Sequence, residues 1–335
     1  MPRHLFATVS LAIGATLLVA AQPAPAQTLI YATQTTKNAT DYRREIPAIT
    51  AEELKRANAG IELKVHFEGE LVTASELWRA VTGGSADIVS AFLPTTSGSP
   101  AEVLFTGLPA LLGGSADIEK LAASEALKLF DGALRTHGAV LVGGYWDLLA
   151  IGSTGECITN PQQLDKLAVR GPGKAYDMLY ASQGGITVPL PSPEIPRALK
   201  TGAVDSVTTT LSSMTVGNGH KYLKCITDPT VAVPGMVFVA TLMSAKSFDA
   251  LPPERQKAVL EAGRQMSVRV QAEANKATSA TLDRIRADGV KIVGISPADV
   301  AAWRAAAERS AWAQFRKASP AADQMITAAA AAIAR

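Results

Sequence analysis

The sequence contains few residues that could act as catalytic bases or nucleophiles. His66 falls on the polar side of an alternating segment, and His137 and His220 lie beside or near glycines, where helices end and turns form. There is no G-x-S-x-G elbow, no G-x-x-x-x-G-K-[ST] phosphate loop and no H-E-x-x-H or C-x-x-C metal motif. We therefore expect a protein that is not an enzyme and that has no cofactor or metal. An extracytoplasmic hydrolase is the less favoured alternative.

Arg170 is the strongest candidate for contact with a small ligand. It ends a predicted strand over residues 167–170 and precedes Gly171-Pro172-Gly173. In α/β sheets, small ligands bind in the loops at strand ends, and a planar guanidinium can pair with a carboxylate through two hydrogen bonds. We expect its side chain to face water when no ligand is present. The alternative is a surface ion pair.

Three further side chains near the ends of predicted strands are candidates for ligand contacts. They are Thr35, Phe92 and Trp146. The ring of Trp146, like that of Tyr145 before it, could pack on the apolar body of a ligand. The same aromatic residues could equally belong to the core.

The composition excludes several classes of protein. Lys and Arg number 32 and Asp and Glu number 30, so the formal net charge is only +2. A nucleic-acid-binding protein needs a basic excess to neutralise phosphates, and this chain has none. Beyond the N-terminal segment, no run of about eighteen apolar residues could span a membrane. The composition predicts a globular protein with one large domain or two lobes.

The first 26 residues predict a secretory signal peptide. A short basic start precedes an apolar segment, Leu5–Ala21, and small residues follow at Ala24 and Ala26. We expect cleavage after Ala26 and a mature protein free in the periplasm; a single membrane anchor is the alternative. The two cysteines, Cys157 and Cys225, lie far from the cut, so no cysteine there could carry a lipid. An oxidising compartment permits a disulfide between them, and two buried thiols are the alternative.

Hydrophobic periodicity predicts alternating strands and helices, which is typical of an α/β fold with mainly parallel sheet. Strands are expected at 28–33, 61–67, 86–92, 139–146, 167–170, 186–190, 204–210 and 236–243, and a helix at 117–136. A helical pattern without internal proline runs from Pro252 to about Asp288. At 1.5 Å per residue this helix is on the order of 50 Å long, enough to connect two lobes.

Several segments together resemble the solute-binding proteins of tripartite ATP-independent periplasmic (TRAP) transporters. They are Glu76-Leu-Trp-Arg-Ala-Val-Thr-Gly-Gly-Ser-Ala-Asp87, Gly107-Leu-Pro-Ala-Leu-Leu112, Lys166-Leu-Ala-Val-Arg170-Gly-Pro-Gly, Val188-Pro-Leu-Pro-Ser-Pro-Glu194 and Arg197-Ala-Leu-Lys-Thr-Gly-Ala-Val-Asp205. The likeness covers essentially the whole chain after the signal segment. It implies two α/β lobes joined by crossing strands and a long helix, with ligand bound in the cleft between them.

The resemblance also implies a ligand class and a partner. The family's characteristic arginine falls on Arg170, and Thr209 stands where a ligand-contacting Asn is frequent. The resemblance thus makes Thr209 and its neighbour Thr208 further candidates for ligand contacts. Many members carry a second arginine where this chain has residues 152–155, which contain no cation. We therefore expect a small organic carboxylate, with a monocarboxylate favoured over a dicarboxylate or a sugar acid. A monomeric receptor would deliver it to the membrane subunits of a TRAP permease; presentation to a sensor kinase is the alternative.

The implied lobes require the chain to cross between them more than once. We expect lobe 1 to contain residues 27–150 and about 235–270. Lobe 2 would then contain residues 151–234 and about 271–335, including the C-terminal helices. Both cysteines fall within the expected lobe 2.

Overall fold

The computed structural model describes residues 26–231 and 234–334. The predicted signal peptide lies, except for its last residue, outside this part. The strands are β1 (Gln27–Thr33), β2 (Ile61–His66), β3 (Ile88–Ala91), β4 (Ala139–Ser153), β5 (Ala168–Arg170), β6 (Ile186–Thr187), β7 (Ser206–Thr210), β8 (Cys225–Thr227), β9 (Met236–Ser244) and β10 (Lys291–Val293). The helices are α1 (Ile46–Arg56), α2 (Leu77–Gly83), α3 (Ala116–Ala122), α4 (Glu125–Thr136), α5 (Lys174–Ser182), α6 (Ile195–Thr201), α7 (Leu211–Thr215), α8 (Ala245–Asp249), α9 (Pro253–Ala287), α10 (Pro297–Ala307), α11 (Ala313–Arg316) and α12 (Pro320–Ile333).

The strands form two connected sheets that share β4. Their order is β2-β1-β3-β9-β4-β7-β5-β6, with β8 beside β4 and β10 beside β8. β1 is parallel to β2 and β3 in one sheet, and β5 is parallel to β6 and β7 in the other. β4 and β9 run antiparallel to their neighbours. The fold is a two-lobed α/β fold with mainly parallel sheet, which confirms the predicted fold class.

β4 is longer than the sequence pattern predicted, because it continues from the first sheet into the second. It was expected to end at Trp146, but it has 15 residues and ends at Ser153. Its first part pairs with β9, and its last part pairs with β7 and β8. The residues from 144 onward are all buried. A strand that is buried on both faces shows no polar–apolar alternation by which to recognise it.

The long helix α9 was predicted correctly. Its 35 residues correspond to about 52 Å. It lies directly on β4, where Gly143 and Gly263 allow the two backbones to approach each other. A Cβ atom on Gly263 would lie 2.0 Å from the carbonyl oxygen of Val142, so only glycine fits at this crossing.

Two side chains of α9 hold the backbone of β4. The N–H of Gly144 donates to the Ser267 hydroxyl over 2.9 Å. The Gln271 amide accepts from the N–H of Trp146 and donates to its carbonyl, each over 2.9 Å. These bonds fix the orientation of β4, and with it the face of the sheet toward which each of its side chains points.

The helical segment predicted over residues 117–136 is divided into α3 and α4. Ser124 interrupts it because its hydroxyl accepts from the N–H of Ala126 and so caps α4. At the far end of the chain, α12 packs against α3 and α4. The indole of Trp312 donates to the carbonyl of Pro109 over 2.9 Å, and that of Trp303 to Thr159 over 2.7 Å. The C-terminal segment therefore contacts α3 and α4 as well as the segments that contain Pro109 and Thr159.

The two cysteines are joined. The Sγ atoms of Cys157 and Cys225 form a disulfide that connects the segment after β4 to β8. Among the described residues, no helix is both long and apolar enough to cross a membrane.

Candidate functional site

A cavity of about 770 Å³ lies where the two sheets meet. Its volume falls within the range of small-molecule binding sites. Its wall includes the segments that follow β1, β3, β5 and β7, which are the carboxyl ends of parallel strands. Ligands bind at this edge of open α/β sheets, so both the location and the size favour a small solute.

Four of the six predicted contact residues line this cavity. They are Thr35, Phe92, Arg170 and Thr209. Thr35 follows β1, Phe92 follows β3, and Thr209 lies on β7, so three separate segments bring them to the cavity that Arg170 borders. The N–H of Phe92 donates to the Gln34 side chain over 2.7 Å, which connects the first two of these segments.

Trp146 does not line the cavity, because the pleat of β4 turns its ring to the opposite face. It packs there on Phe238, the residue directly opposite on β9, with 5.0 Å between ring centroids. Tyr145, Asp147 and Leu149 are the β4 residues that face the cavity. Of the two aromatic residues of β4 that the sequence analysis considered, Tyr145 is therefore the one that faces the cavity.

Thr208 also lies outside the cavity wall, and it holds Arg170 instead. Its hydroxyl accepts a hydrogen bond from the hydroxyl of the buried Tyr180. Its carbonyl accepts from Nη1 of Arg170 over 3.3 Å. Thr208 is thus a positioning residue behind the cavity.

Arg170 is buried, contrary to the expectation that it faces water without ligand. Its side chain is only 6% exposed. Besides the bond to Thr208, Nε donates to the carbonyl of Leu190 over 3.1 Å and Nη2 to the Ser192 hydroxyl over 3.2 Å. No carboxylate among the described residues lies within 4.0 Å of the guanidinium. Asp177 acts on it electrostatically from farther away, and burial lowers the pKa of Arg170 to about 10.

A second arginine in the cavity wall was missed by sequence reasoning. Arg43 lies on the short 3-10 helix Tyr42–Glu45, and its Nε and Nη2 donate to the Asp41 carboxylate over 2.7 and 2.6 Å. Nη1 donates to the hydroxyl of Ser213, on α7, over 3.1 Å. Three of the five N–H groups of this guanidinium therefore donate to protein atoms, two of them to a carboxylate.

A buried carboxylate on β4 was also missed. Asp147 is 5% exposed and accepts a hydrogen bond from the hydroxyl of Tyr42 over 3.0 Å. Burial raises the pKa of Asp147 to about 6, although the positive charge of Arg43 acts in the opposite direction. The available sequence signal was a single carboxylate in an otherwise apolar run, Tyr-Trp-Asp-Leu-Leu-Ala-Ile.

Two α/β lobes that enclose a cavity at their strand ends define an extracytoplasmic solute-binding protein. The comparison of sequences agrees with this class. The chain belongs to the family described as bacterial extracellular solute-binding protein, family 7 (DctP), whose profile matches residues 48–318. This confirms the resemblance to TRAP solute-binding proteins, which are not enzymes.

Individual relatives are distant in sequence but similar in structure. A solute-binding protein of Albidiferax ferrireducens is 22% identical over 276 residues, which cover 82% of each chain. A TRAP periplasmic solute-binding protein from Rhodoferax ferrireducens with bound malonate superposes with a TM-score of 0.82 at 21% identity, covering 91% of this chain and 98% of that one. DctP7, a Bordetella pertussis receptor that binds pyroglutamic acid, has a TM-score of 0.76 at 22% identity, with coverage of 91% and 99%.

Proposed function

We propose that this chain is a periplasmic receptor that captures a small organic monocarboxylate between its lobes and delivers it to a TRAP permease. The observation that carries the proposal is the environment of Arg170. A buried charge needs a partner of opposite sign to offset the loss of hydration. The described residues supply hydrogen-bond acceptors to Arg170 but no ion pair, so a ligand carboxylate is the natural partner.

The charges of the cavity wall favour one ligand carboxylate over two. Arg43 is a second cation, but the Asp41 carboxylate neutralises its charge through two hydrogen bonds, whereas the hydrogen-bond partners of Arg170 are all neutral. Arg170 is thus the cation left for a ligand among the described residues of the wall. The relative from Rhodoferax ferrireducens binds malonate and the Bordetella pertussis relative binds pyroglutamic acid. Malonate is a dicarboxylate, so comparing its affinity with that of monocarboxylates tests the proposed preference most directly.

We further propose that the lobes comprise residues 27–150 with about 235–270 and residues 151–234 with about 271–335. The helices after residue 297 would brace both. The hydrogen bond between Arg43 and Ser213 would then join the lobes across the cavity. The N-terminal segment would direct secretion and be removed after Ala26, leaving a monomer in the periplasm.

The proposal is tested by ligand titration of purified protein without its signal segment. A thermal-shift screen of mono- and dicarboxylates identifies the ligand, and calorimetry measures its affinity for wild-type protein, Arg170→Ala and Arg170→Lys. Truncation of one partner of a desolvated charge pair costs about 2–5 kcal/mol, so Arg170→Ala should weaken binding about 30-fold to several thousand-fold. Arg170→Lys keeps the charge but loses the planar fork, and it should restore only part of the affinity.

Arg197→Ala is the matched control. Arg197 is 75% exposed and forms only a surface pair with Glu194, so its removal should not change affinity. Normal binding by Arg170→Ala, or tighter binding of malonate than of every monocarboxylate, would contradict the proposed ligand class. Delivery is tested by uptake into vesicles that contain the candidate permease, with and without the receptor.

A further inference from the structure

The wall of the cavity also carries carboxylates that form no ion pair among the described residues: Glu68 and Asp177 are partly exposed, and Asp147 is the buried one. No Lys, Arg or His among the described residues forms an ion pair with Asp147, whose carboxylate lies in the wall at 5% exposure. Its one described side-chain partner is the neutral hydroxyl of Tyr42. A carboxylate has room for about four hydrogen bonds, so Asp147 has capacity left for a ligand.

Neighbouring groups do not neutralise Asp147. Arg43 is close enough to act on it, but Asp41 holds that guanidinium through two short bonds and adds its own negative charge. Burial and the Asp147 charge raise the pKa of both Tyr42 and Tyr145, so both phenols remain neutral. This part of the wall therefore carries a net charge of about −1 when Asp147 is ionised.

Arg170 and Asp147 lie in different parts of the cavity. In the sheet register, Arg170 is opposite Val207 of β7, and Val207 is opposite Gly152 of β4. The guanidinium itself reaches the carbonyl of Thr208, which is opposite Ile151. Asp147 is four residues farther along β4, or about 13 Å of strand. One ligand that meets both charges must therefore carry its complementary groups at separate ends.

We propose that Asp147 is a specificity-determining residue that accepts hydrogen bonds from a cationic nitrogen at the end of the ligand remote from the carboxylate. The ligand is then a zwitterion: its carboxylate pairs with Arg170 and its ammonium group with Asp147. This inference rests on the proposed function, because it assumes that Arg170 binds a carboxylate. It adds that the opposite end of the ligand is positive, and it explains why a second carboxylate is disfavoured: that carboxylate would face Asp147.

The test is a panel of straight-chain carboxylic acids that differ only in the group at the far end. Each chain length, from three carbons upward, is titrated with an amino, amide, hydroxyl, methyl or carboxyl group there. A charge-assisted hydrogen bond to a buried group corresponds to about a 10-fold to 100-fold difference in affinity. At the best chain length, the amino acid should bind tighter by this factor than every other member. If another end group binds as tightly as the amine or tighter, the inference about Asp147 is wrong.

Asp147→Asn provides a second readout. It removes the charge and keeps the shape, so binding of the amino acid should weaken about 10-fold to 100-fold while the hydroxyl and carboxyl members bind no worse. Glu62→Gln is the control, because Glu62 is an exposed carboxylate on β2, outside the cavity wall. An equal effect on all members of the panel would refute a role in specificity. If Asp147→Asn does not fold, the panel on wild-type protein decides alone.

The two levels of proposal fail differently. If no member of the panel binds at any chain length, the capture of small carboxylates itself is refuted. If carboxylates bind and depend on Arg170 but show no preference for the amine, only the inference about Asp147 is refuted.

Discussion

Arg170→Met is expected to remove most of the stabilisation of the protein by ligand without lowering the stability of the ligand-free protein. Burial lowers the pKa of Arg170 to about 10 because the charged form loses hydration. At 1.36 kcal/mol per pKa unit, the ligand-free folded state holds this charge with a penalty of about 3 kcal/mol. The folded pKa is lower than the unfolded one, so the penalty is complete below pH of about 10 and decreases only above it.

Methionine removes this penalty, but it also removes three hydrogen bonds. Arg170 donates to the carbonyls of Leu190 and Thr208 and to the hydroxyl of Ser192. At about 1 kcal/mol each, these bonds offset the penalty almost completely. The expected change in the free energy of unfolding is therefore within about 1 kcal/mol of zero.

Urea unfolding with and without ligand measures both effects. For wild-type protein, ligand at one hundred times its dissociation constant should raise the free energy of unfolding by about 2.7 kcal/mol. For Arg170→Met, an affinity loss of about 30-fold or more should reduce this gain to about 0.9 kcal/mol or less at the same ligand concentration. Removal of one partner from a structural buried ion pair costs about 3–5 kcal/mol. A loss of that size in the ligand-free variant would show that Arg170 has an unrecognised anionic partner, and the reasoning would be refuted.

Three further predictions concern the crossing strand β4 and its supports. Burial raises the folded pKa of Asp147 to about 6, so the wild-type protein loses stability as the pH rises to that value and this carboxylate ionises. Asp147→Asn should therefore be more stable than wild type at pH 8 but not at pH 4, as measured by urea unfolding. The disulfide of Cys157 and Cys225 closes a separation of 68 residues, so replacing both cysteines by serine should lower the free energy of unfolding by about 4 kcal/mol without changing ligand affinity. Gly263→Ala places a Cβ against the backbone of β4 and should destabilise by about 2 kcal/mol or more, whereas Gly132→Ala, in the open on α4, should be neutral or stabilising by up to about 1 kcal/mol.

Each of these three has an outcome that would contradict it. A constant stability difference between Asp147→Asn and wild type from pH 4 to pH 8 would show that this carboxylate titrates normally. Weakened ligand binding after loss of the disulfide would mean that the bond shapes the cavity. Unchanged stability of Gly263→Ala would mean that α9 does not lie directly on β4.

The sequence alone determined the fold class, the family and the position of Arg170. These depend on local patterns, such as the strand that ends in Val-Arg before Gly-Pro-Gly, and on the order of such patterns along the chain. The long helix α9 was equally readable, because nothing between Pro253 and Ala287 interrupts a helix. Local backbone preferences persist in the folded protein, so patterns of this kind can be read from the sequence without knowledge of distant contacts.

Which side chains meet in the cavity was decided by the tertiary structure. The pleat of β4 turns Tyr145 and Asp147 inward and Trp146 outward, and β4 has no alternation in this region that could show its direction. Asp147 accepts a hydrogen bond from Tyr42, a residue 105 positions away. Asp41 and Arg43 are close in sequence, but only the tertiary structure shows that this neutral pair lies near Asp147. Whether a charged group in a cavity already has a partner in the protein depends on its neighbours in space. Those neighbours come from distant segments of the chain, and only the packing of the two lobes fixes their relative position.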